Sequence, residues 1–286
     1  MRSFADYVQD KFNRKVYKIP VDAGFTCPNI DGETARGGCI YCRNDAFQPP
    51  YVHEEQKLEK QVEEGKKNFR RKNAEKFLVY FQAHTNTYAS VEELKDLYGR
   101  VLGLADVIGL CIGTRPDCLG EDVVELLGKL SESGKEIWVE IGQQTANERT
   151  LERINRGHGF EEYIRAVDRL ADYSRLKICT HLIFGLPGET LADMETTVRK
   201  INRHRLQGVK FHHLQVVRGT PLARRYRAGE YSPLTYEHYV EIVGRALEIL
   251  PADTVVHRLI GDAPRELLLA PRWQVSKHKF LQDLEG

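Results

Sequence analysis

No stretch of this 286-residue chain approaches the ~20 consecutive apolar residues that a helix needs to cross a bilayer, so no membrane association is expected. The opening Met1-Arg-Ser-Phe-Ala-Asp-Tyr7 has an acidic residue and no apolar core, and does not read as a secretory leader. An excess of one charge is missing too: 42 Lys and Arg against 41 Asp and Glu leave a net charge of +1, which argues neither for nor against nucleic acid. Internal repeats, low-complexity linkers and a clear domain break are absent, so a single domain over residues 1–286 is expected. Cysteine is sparse and uneven. Six residues, three of them clustered, suit a reducing cytoplasm better than a disulfide scaffold.

What is present gathers between Cys27 and Cys42, which read Cys-Pro-Asn-Ile-Asp-Gly-Glu-Thr-Ala-Arg-Gly-Gly-Cys-Ile-Tyr-Cys. Cys27, Cys39 and Cys42 share one loop, and that loop contains no fourth Cys and no His. Converging thiolates in a reducing compartment hold zinc or an iron–sulfur cluster. Structural zinc takes four protein ligands, whereas three leave one metal position open. Gly37-Gly38 lets the backbone pass close to a bulky inorganic core, since glycine has no Cβ to obstruct it. Backbone N–H groups of such a loop can hydrogen-bond to cluster sulfides. An incidental Cys-x2-Cys redox pair would need no third thiol and usually opens a thioredoxin-like helix. Cys111, Cys118 and Cys179 lie in or beside apolar segments and read as buried small hydrophobes.

Along the chain, Phe4, Val8 and Phe12 mark a short amphipathic opening helix, and Val16 to Val21 a strand that ends where the Cys loop starts. Pro49-Pro50 breaks the chain, and Leu58, Val62 and Phe69 mark a charged helix. Apolar strands are expected at 77–81, 107–112, 137–141, 176–184 and 209–217, with a further one at 254–260. Helices are expected between them at 91–104, 123–130, 148–154, 160–173 and 191–206, and after them at 236–250. Strands alternating with helices imply a parallel sheet with helices outside. The expected fold is therefore α/β, a partial (β/α)6-type TIM barrel, shorter than the full eight-fold form. A core over about 16–220 would carry a short N-terminal helix and a C-terminal extension over about 221–286, the last part folding over the core.

In such folds chemistry collects at the carboxyl ends of the strands. Here those exits read Gln82-Ala-His-Thr-Asn-Thr-Tyr88, Gly113-Thr-Arg-Pro-Asp117, Gly142-Gln-Gln-Thr145, Gly185-Leu-Pro-Gly-Glu189, Arg218-Gly-Thr220 and Arg258-Leu-Ile-Gly-Asp262. Turn chemistry explains the glycines but not so many Arg, Gln, Asn and Thr side chains in the same places. Together with Cys-x11-Cys-x2-Cys and an aromatic before its last Cys, these segments resemble radical S-adenosylmethionine (SAM) enzymes. The expanded Cys loop is closest to that of the Elongator catalytic subunit. Gly142-Gln-Gln-Thr and Ile154-Asn-Arg-Gly-His158 also resemble the oxygen-independent coproporphyrinogen oxidases.

The resemblance implies a [4Fe–4S] cluster held by Cys27, Cys39 and Cys42, with SAM on its open iron. It further implies Tyr41 beside the SAM adenine and the Gln82, Ala83 and Thr85 turn at the SAM amino group. Gln144 and Arg156 would meet the ribose and carboxylate, and Arg115 would face SAM or substrate. His181 stands where the coproporphyrinogen oxidases place an Asp near the ribose. Plainer readings stand beside these. Arg156 can close a helix C-terminus, Glu140 can serve as an ion-pair partner at a strand end, and of His212-His213 at most one ring points inward, as a satisfied core histidine.

From Thr196 to Arg227 the chain carries Arg199, Lys200, Arg203, Arg205, Lys210, Arg218, Arg224, Arg225 and Arg227 with no Asp or Glu. With Tyr226, Tyr231 and Tyr236 nearby, this reads as a phosphate-binding surface with aromatics able to stack on bases. Gly24-Phe-Thr-Cys-Pro-Asn29, His257-Arg-Leu-Ile-Gly-Asp-Ala-Pro264 and Ala270-Pro-Arg-Trp273 resemble a short stand-alone bacterial group related to the Elongator subunit and lacking its acetyltransferase half. That resemblance implies modification of the tRNA wobble uridine at its C5 side chain, as in converting carboxymethylaminomethyl to aminomethyl. It also implies an electron donor such as flavodoxin or ferredoxin. A coproporphyrinogen-oxidase-like enzyme acting on a small molecule, and a non-catalytic iron–sulfur or zinc protein for electron transfer or scaffolding, are the competing expectations.

Overall fold

A computed structural model describes residues 1–43, 49, 51–52, 56–261 and 263–285. Pro50 and Asp262, named above, lie outside them. The sheet strands are β1 (Arg2–Ser3), β2 (Val16–Val21), β3 (Lys76–Phe81), β4 (Val107–Thr114), β5 (Glu136–Gln144), β6 (Lys177–Phe184), β7 (Gly208–His213) and β9 (Val255–Arg258). They form one sheet in the order β1-β9-β7-β6-β5-β4-β3-β2, parallel throughout. The fold is thus α/β, a curled half-barrel of eight strands wrapped by helices. The helices that follow the strands include α3 (Leu58–Arg70), α4 (Val91–Leu102), α5 (Glu121–Glu132), α6 (Glu148–Arg153), α7 (Phe160–Ala171), α8 (Leu191–Ile201) and α10 (Tyr236–Ile249).

Strand parity explains why the apolar runs are continuous. Phe77, Val79 and Phe81 of β3, and Ile137, Val139 and Ile141 of β5, belong to the large core between sheet and helices. The alternate residues Leu78, Tyr80, Trp138, Cys111 and Cys179 form a separate cluster inside the half-barrel. Helix starts follow local chemistry: Ser90 and Glu93 form a capping box at α4, and Thr190 and Asp193 another at α8.

The opening helix, α1 (Phe4–Phe12), is capped by Ser3 and Asp6 and joins the two outermost strands, β1 and β2. Its Phe4 and Tyr7 rings stand 5.8 and 5.4 Å from Trp138, which makes an aromatic floor for the barrel. The segment expected as one strand over 209–217 breaks after His213. Val216–Val217 (β8) leaves the main sheet and pairs antiparallel with β10 (Leu268–Ala270). Three pieces carried no clear periodicity in the sequence: β10, the helix α9 (Pro221–Arg227) and the terminal helix α11 (Lys277–Glu285). Phe280 of α11 is fully buried beside Tyr239 of α10, so the end of the chain does fold onto the core.

Candidate active site

One cavity of about 290 Å³ opens at the carboxyl ends of the strands. It brings together every site residue expected from the sequence: Cys27, Cys39, Tyr41, Cys42, Gln82, Ala83, Thr85, Arg115, Gln144, Arg156 and His181. The Cys loop is shaped locally. Pro28 starts a short helical turn, α2 (Pro28–Asp31), which Gly32 ends in the left-handed region at φ 94°. Gly37 and Gly38, at φ 81° and 73°, then bring the chain back toward Cys39.

Asn29 locks this loop to the segment after β5, a role its sequence position did not reveal. Fully buried, it donates through Nδ2 to the Asn155 carbonyl at 2.5 Å and to Cys39 Sγ at 3.5 Å. Gly157 approaches so closely that a Cβ there would stand 2.4 Å from Asn29 Oδ1. Asn155 donates in return to the carbonyls of Arg36 and Gly38. The Asn-Arg-Gly run thus acts as a clamp on the Cys loop.

Two buried arginines face the thiols. Arg156 donates through Nη1 to Cys39 Sγ at 3.5 Å and through Nη2 to the Gly142 carbonyl. Arg115 is held by a bidentate pair with Asp117, at 2.9 and 2.6 Å, with Nη1 4.0 Å from Cys27 Sγ. Among the described residues, the buried Arg156 Nε and Tyr41 hydroxyl have no hydrogen-bond partner. Gln144, at φ 72°, turns its strand end across the same wall. Among the described residues, no three His, Cys, Asp or Glu side chains are grouped to hold a single metal ion, whereas zinc draws its sulfurs to about 2.3 Å. Three thiols lining one cavity, with arginines directed at two of them, suit a bulky anionic cluster with a polar ligand on it. Burial pushes the thiols of Cys111 and Cys118 up to about 12, and that of Cys179 well above its usual range. All three stay protonated; Cys111 and Cys179 are buried as expected of small hydrophobes, whereas Cys118 is only half-buried.

Deeper in the barrel lies a charged layer built on Glu140 of β5, which is fully buried. Its Oε1 accepts from Lys18 at 2.6 Å and lies 3.2 Å from His257 Nδ1, while its Oε2 lies 2.8 Å from His181 Nε2 and 3.2 Å from Lys210 Nζ. Lys210 also donates to the Tyr80 hydroxyl at 2.6 Å. Burial alone would raise the Glu140 carboxyl. Lys18 and Lys210, with the two histidine rings beside it, hold it well below the usual carboxylate range. Burial, aided by Lys210, pushes His181 down to about 4, and burial with Lys18 pushes His257 down to about 3, so both rings are neutral near pH 7. Glu140 is therefore an ion-pair partner, as the plainer reading had it, but for several groups at once. His212 lines the cavity with its ring 6.1 Å from His181, while the ring of His213 packs on Trp273 at 4.4 Å.

The basic segment needs correction. Lys210 is buried on the inner face of β7 and is no part of a surface. Arg199 pairs with Glu195 at 2.6 Å, just outside the acid-free stretch. Tyr231 is buried and donates to the Gly185 carbonyl, and Tyr236 donates to Asp283, so neither is free to stack on bases. Of the rest, Arg224, Arg225 and Arg227 stand together on α9, which is tied to the Cys loop by a 2.8 Å bond from Leu222 N–H to the Ile40 carbonyl.

A family model described as the Radical SAM superfamily matches residues 31–201, and a Radical_SAM C-terminal domain matches 206–286. The chain belongs to the radical SAM superfamily. It is a radical SAM enzyme, and its cofactors are those of the superfamily, a [4Fe–4S] cluster and SAM. The superfamily match begins just after Cys27, the first thiol of the expanded loop. This radical SAM chain is 40% identical over 276 residues to an uncharacterized Bacillus subtilis protein, YtqA, covering 96% of this chain and 85% of that one. It is 33% identical over 165 residues to a Methanocaldococcus jannaschii tRNA uridine(34) acetyltransferase, covering 57% of this chain and 30% of that protein. The fold matches archaeal Methanocaldococcus infernus Elp3 with a TM-score of 0.67 at 21% identity, over 90% of this chain and 59% of that one.

Proposed function

We propose that this radical SAM enzyme modifies the C5 side chain of the tRNA wobble uridine, converting carboxymethylaminomethyl to aminomethyl. The observation that carries the proposal is the placement of α9. Its Arg224, Arg225 and Arg227 stand on the element hydrogen-bonded to the Cys loop, three of whose residues, Cys39, Tyr41 and Cys42, line the cavity. Among the described residues these arginines have no carboxylate partner. A cationic element packed on the loop that lines a reactive cavity suits an RNA whose backbone stays outside while one base enters. The likeness to a tRNA uridine(34) acetyltransferase supports the same substrate.

In this reading Cys27, Cys39 and Cys42 hold the cluster, and Asn29 fixes their loop against Asn155. Arg156 and Gln144 take the carboxylate and ribose of SAM, Gln82, Ala83 and Thr85 its amino group, and Tyr41 its adenine. Bound there, SAM and the reduced cluster would supply a 5′-deoxyadenosyl radical to take hydrogen from the N-carboxymethyl carbon. With SAM as the net oxidant and the second electron returned to the cluster, water adding to the resulting imine would break the C–N bond. That leaves the amine on the uridine side chain and releases the two carbons as glyoxylate. Arg115, pinned by Asp117, keeps a positive charge on the Cys27 thiolate. His181, neutral and held by Glu140, presents a ring at the ribose without adding charge. The aromatic floor of Phe4, Tyr7 and Trp138 keeps water from entering below.

Anaerobic reconstitution, reduction and detection of 5′-deoxyadenosine from SAM tests the chemistry, with loss of product expected in Cys39→Ala. Mass spectrometry of tRNA nucleosides from cells lacking the protein tests the substrate, with carboxymethylaminomethyluridine expected to accumulate. Unchanged wobble uridines would remove the tRNA assignment. Replacing Arg224, Arg225 and Arg227 together with Gln should weaken tRNA binding for all sequences alike. It should also flatten the salt dependence by about 1 in slope for each phosphate contact removed.

A further inference from the structure

The Glu140 layer carries more positive charge than its own carboxylate balances. Two ammonium groups, Lys18 and Lys210, share one carboxylate, and the two histidine rings beside it are neutral. His257 Nδ1 also lies 2.9 Å from Lys18 Nζ, which can only donate, so that ring nitrogen accepts from Lys18, and Glu140 keeps Lys18, Lys210 and His181 as its donors. The surplus is not distributed evenly. Of the two lysines, Lys210 lines the cavity and Lys18 does not. Arg258, one strand away on β9, lines the same wall. The only other acid on the cavity lining among the described residues is Asp22, just past the end of β2, which accepts the Gly24 N–H at 2.9 Å. Uncompensated buried charge is costly, so a fold that maintains it gains when a counter-ion arrives.

We propose that Lys210, with Arg258 and His212, forms a subsite on the β7–β9 wall that receives a carboxylate of the substrate, opposite the arginines that face the thiols. On the reading given above, from which this inference takes its substrate, that carboxylate is the end of the carboxymethylaminomethyl side chain. Seating it there fixes the methylene groups of the side chain between the two walls of the cavity, and it discriminates against uridines whose C5 group is neutral. The same arrangement explains why Glu140 is shared. It holds Lys210 in place while Lys18 satisfies the carboxylate from below, which leaves Lys210 charge for the ligand.

The test uses the reconstituted full-length enzyme and an anticodon stem–loop RNA carrying either the carboxymethylaminomethyl group or its carboxamide. Fluorescence anisotropy of wild type should show at least tenfold tighter binding of the acid form. Lys210→Met should abolish that preference by losing affinity for the acid alone, with cluster absorbance and far-UV circular dichroism unchanged. Arg258→Gln, at an exposed position, should reduce the preference several-fold and serves if Lys210→Met does not fold. An equal affinity of wild type for the two RNAs, or a preference that survives both substitutions, overturns the subsite. A second probe separates this outcome from failure of the tRNA assignment: calorimetric titration with iminodiacetate and with its diamide. If the RNAs do not bind but iminodiacetate binds in a Lys210-dependent way and the diamide does not, the subsite stands and the substrate is another N-carboxymethyl compound. If neither RNA nor iminodiacetate binds, the subsite is refuted.

Discussion

Glu136 and Glu140 lie four residues apart on β5, face the same barrel interior and are both buried, yet their surroundings differ. Glu136 accepts from the Tyr7 hydroxyl at 2.5 Å, from Trp138 Nε1 at 2.9 Å and from Lys11 Nζ at 2.5 Å. One carboxylate meets one ammonium, and the Lys11 side chain remains 40% exposed. The result ties α1 to the barrel floor and asks for nothing more. Glu140 has no exposure and collects two lysines and two histidines. The first arrangement is balanced and wet at one end. The second is overcharged, dry and directed at a cavity. Charge balance, more than burial, separates the carboxylate that holds the fold from the one that serves the site.

The largest expected effect follows from removing the shared carboxylate. Glu140→Gln leaves two buried ammonium groups with no counter-charge, and should cost about 3–5 kcal/mol in urea unfolding, the usual penalty for breaking a buried pair. Glu136→Gln should cost about 1 kcal/mol, because Gln still accepts from Tyr7 and Trp138 and Lys11 can turn to water. Equal losses would erase the distinction.

A smaller effect comes from acid. His181 and His257 titrate at about 4 and about 3 in the folded chain but near 6.5 when unfolded, so the unfolded state binds more protons between those values. Stability from these rings is complete above about pH 6.5 and declines as pH falls, at about 1.4 kcal/mol per unit for each ring. Between pH 7.5 and 5.5 the pair should lose about 2–3 kcal/mol. His181→Asn should remove close to half of that decline. A slope unaffected by the substitution would mean that the ring is already charged in the folded state.

The contrast was only partly legible in the sequence. Strand and helix order could be read because the outward faces of β3 through β7 are apolar in runs, and most boundaries fall within a few residues of expectation. The cavity residues could be read because strand exits in a parallel barrel converge whatever lies between them. The Glu140 layer was not legible, since its partners lie 122, 41, 70 and 117 residues away along the chain. Lys210 was placed with the surface cations because it sits in a basic run. The useful signal was the alternation Val209-Lys210-Phe211-His212, which puts Lys210 and His212 on the face opposite two apolar residues. The clamp through Asn29 left no trace, since an Asn in a Gly- and Asp-rich loop reads as turn chemistry.

The smallest effect sharpens the comparison from its balanced side. Lys11→Met removes the only ion-pair partner of Glu136 among the described residues, so simple pair counting would expect a large loss. The Lys11 ammonium stands partly in water, however, and the carboxylate keeps two neutral donors from Tyr7 and Trp138. The loss should therefore stay below about 1 kcal/mol and shrink further at 1 M salt, where charges are screened beyond about 3 Å. The contribution of Glu140 should be nearly independent of salt, because solvent does not reach it. If Lys11→Met instead cost as much as Glu140→Gln, and did so at high salt, the Glu136 pair would behave as a dry ion pair. The barrel floor would then be as electrostatically committed as the layer above it.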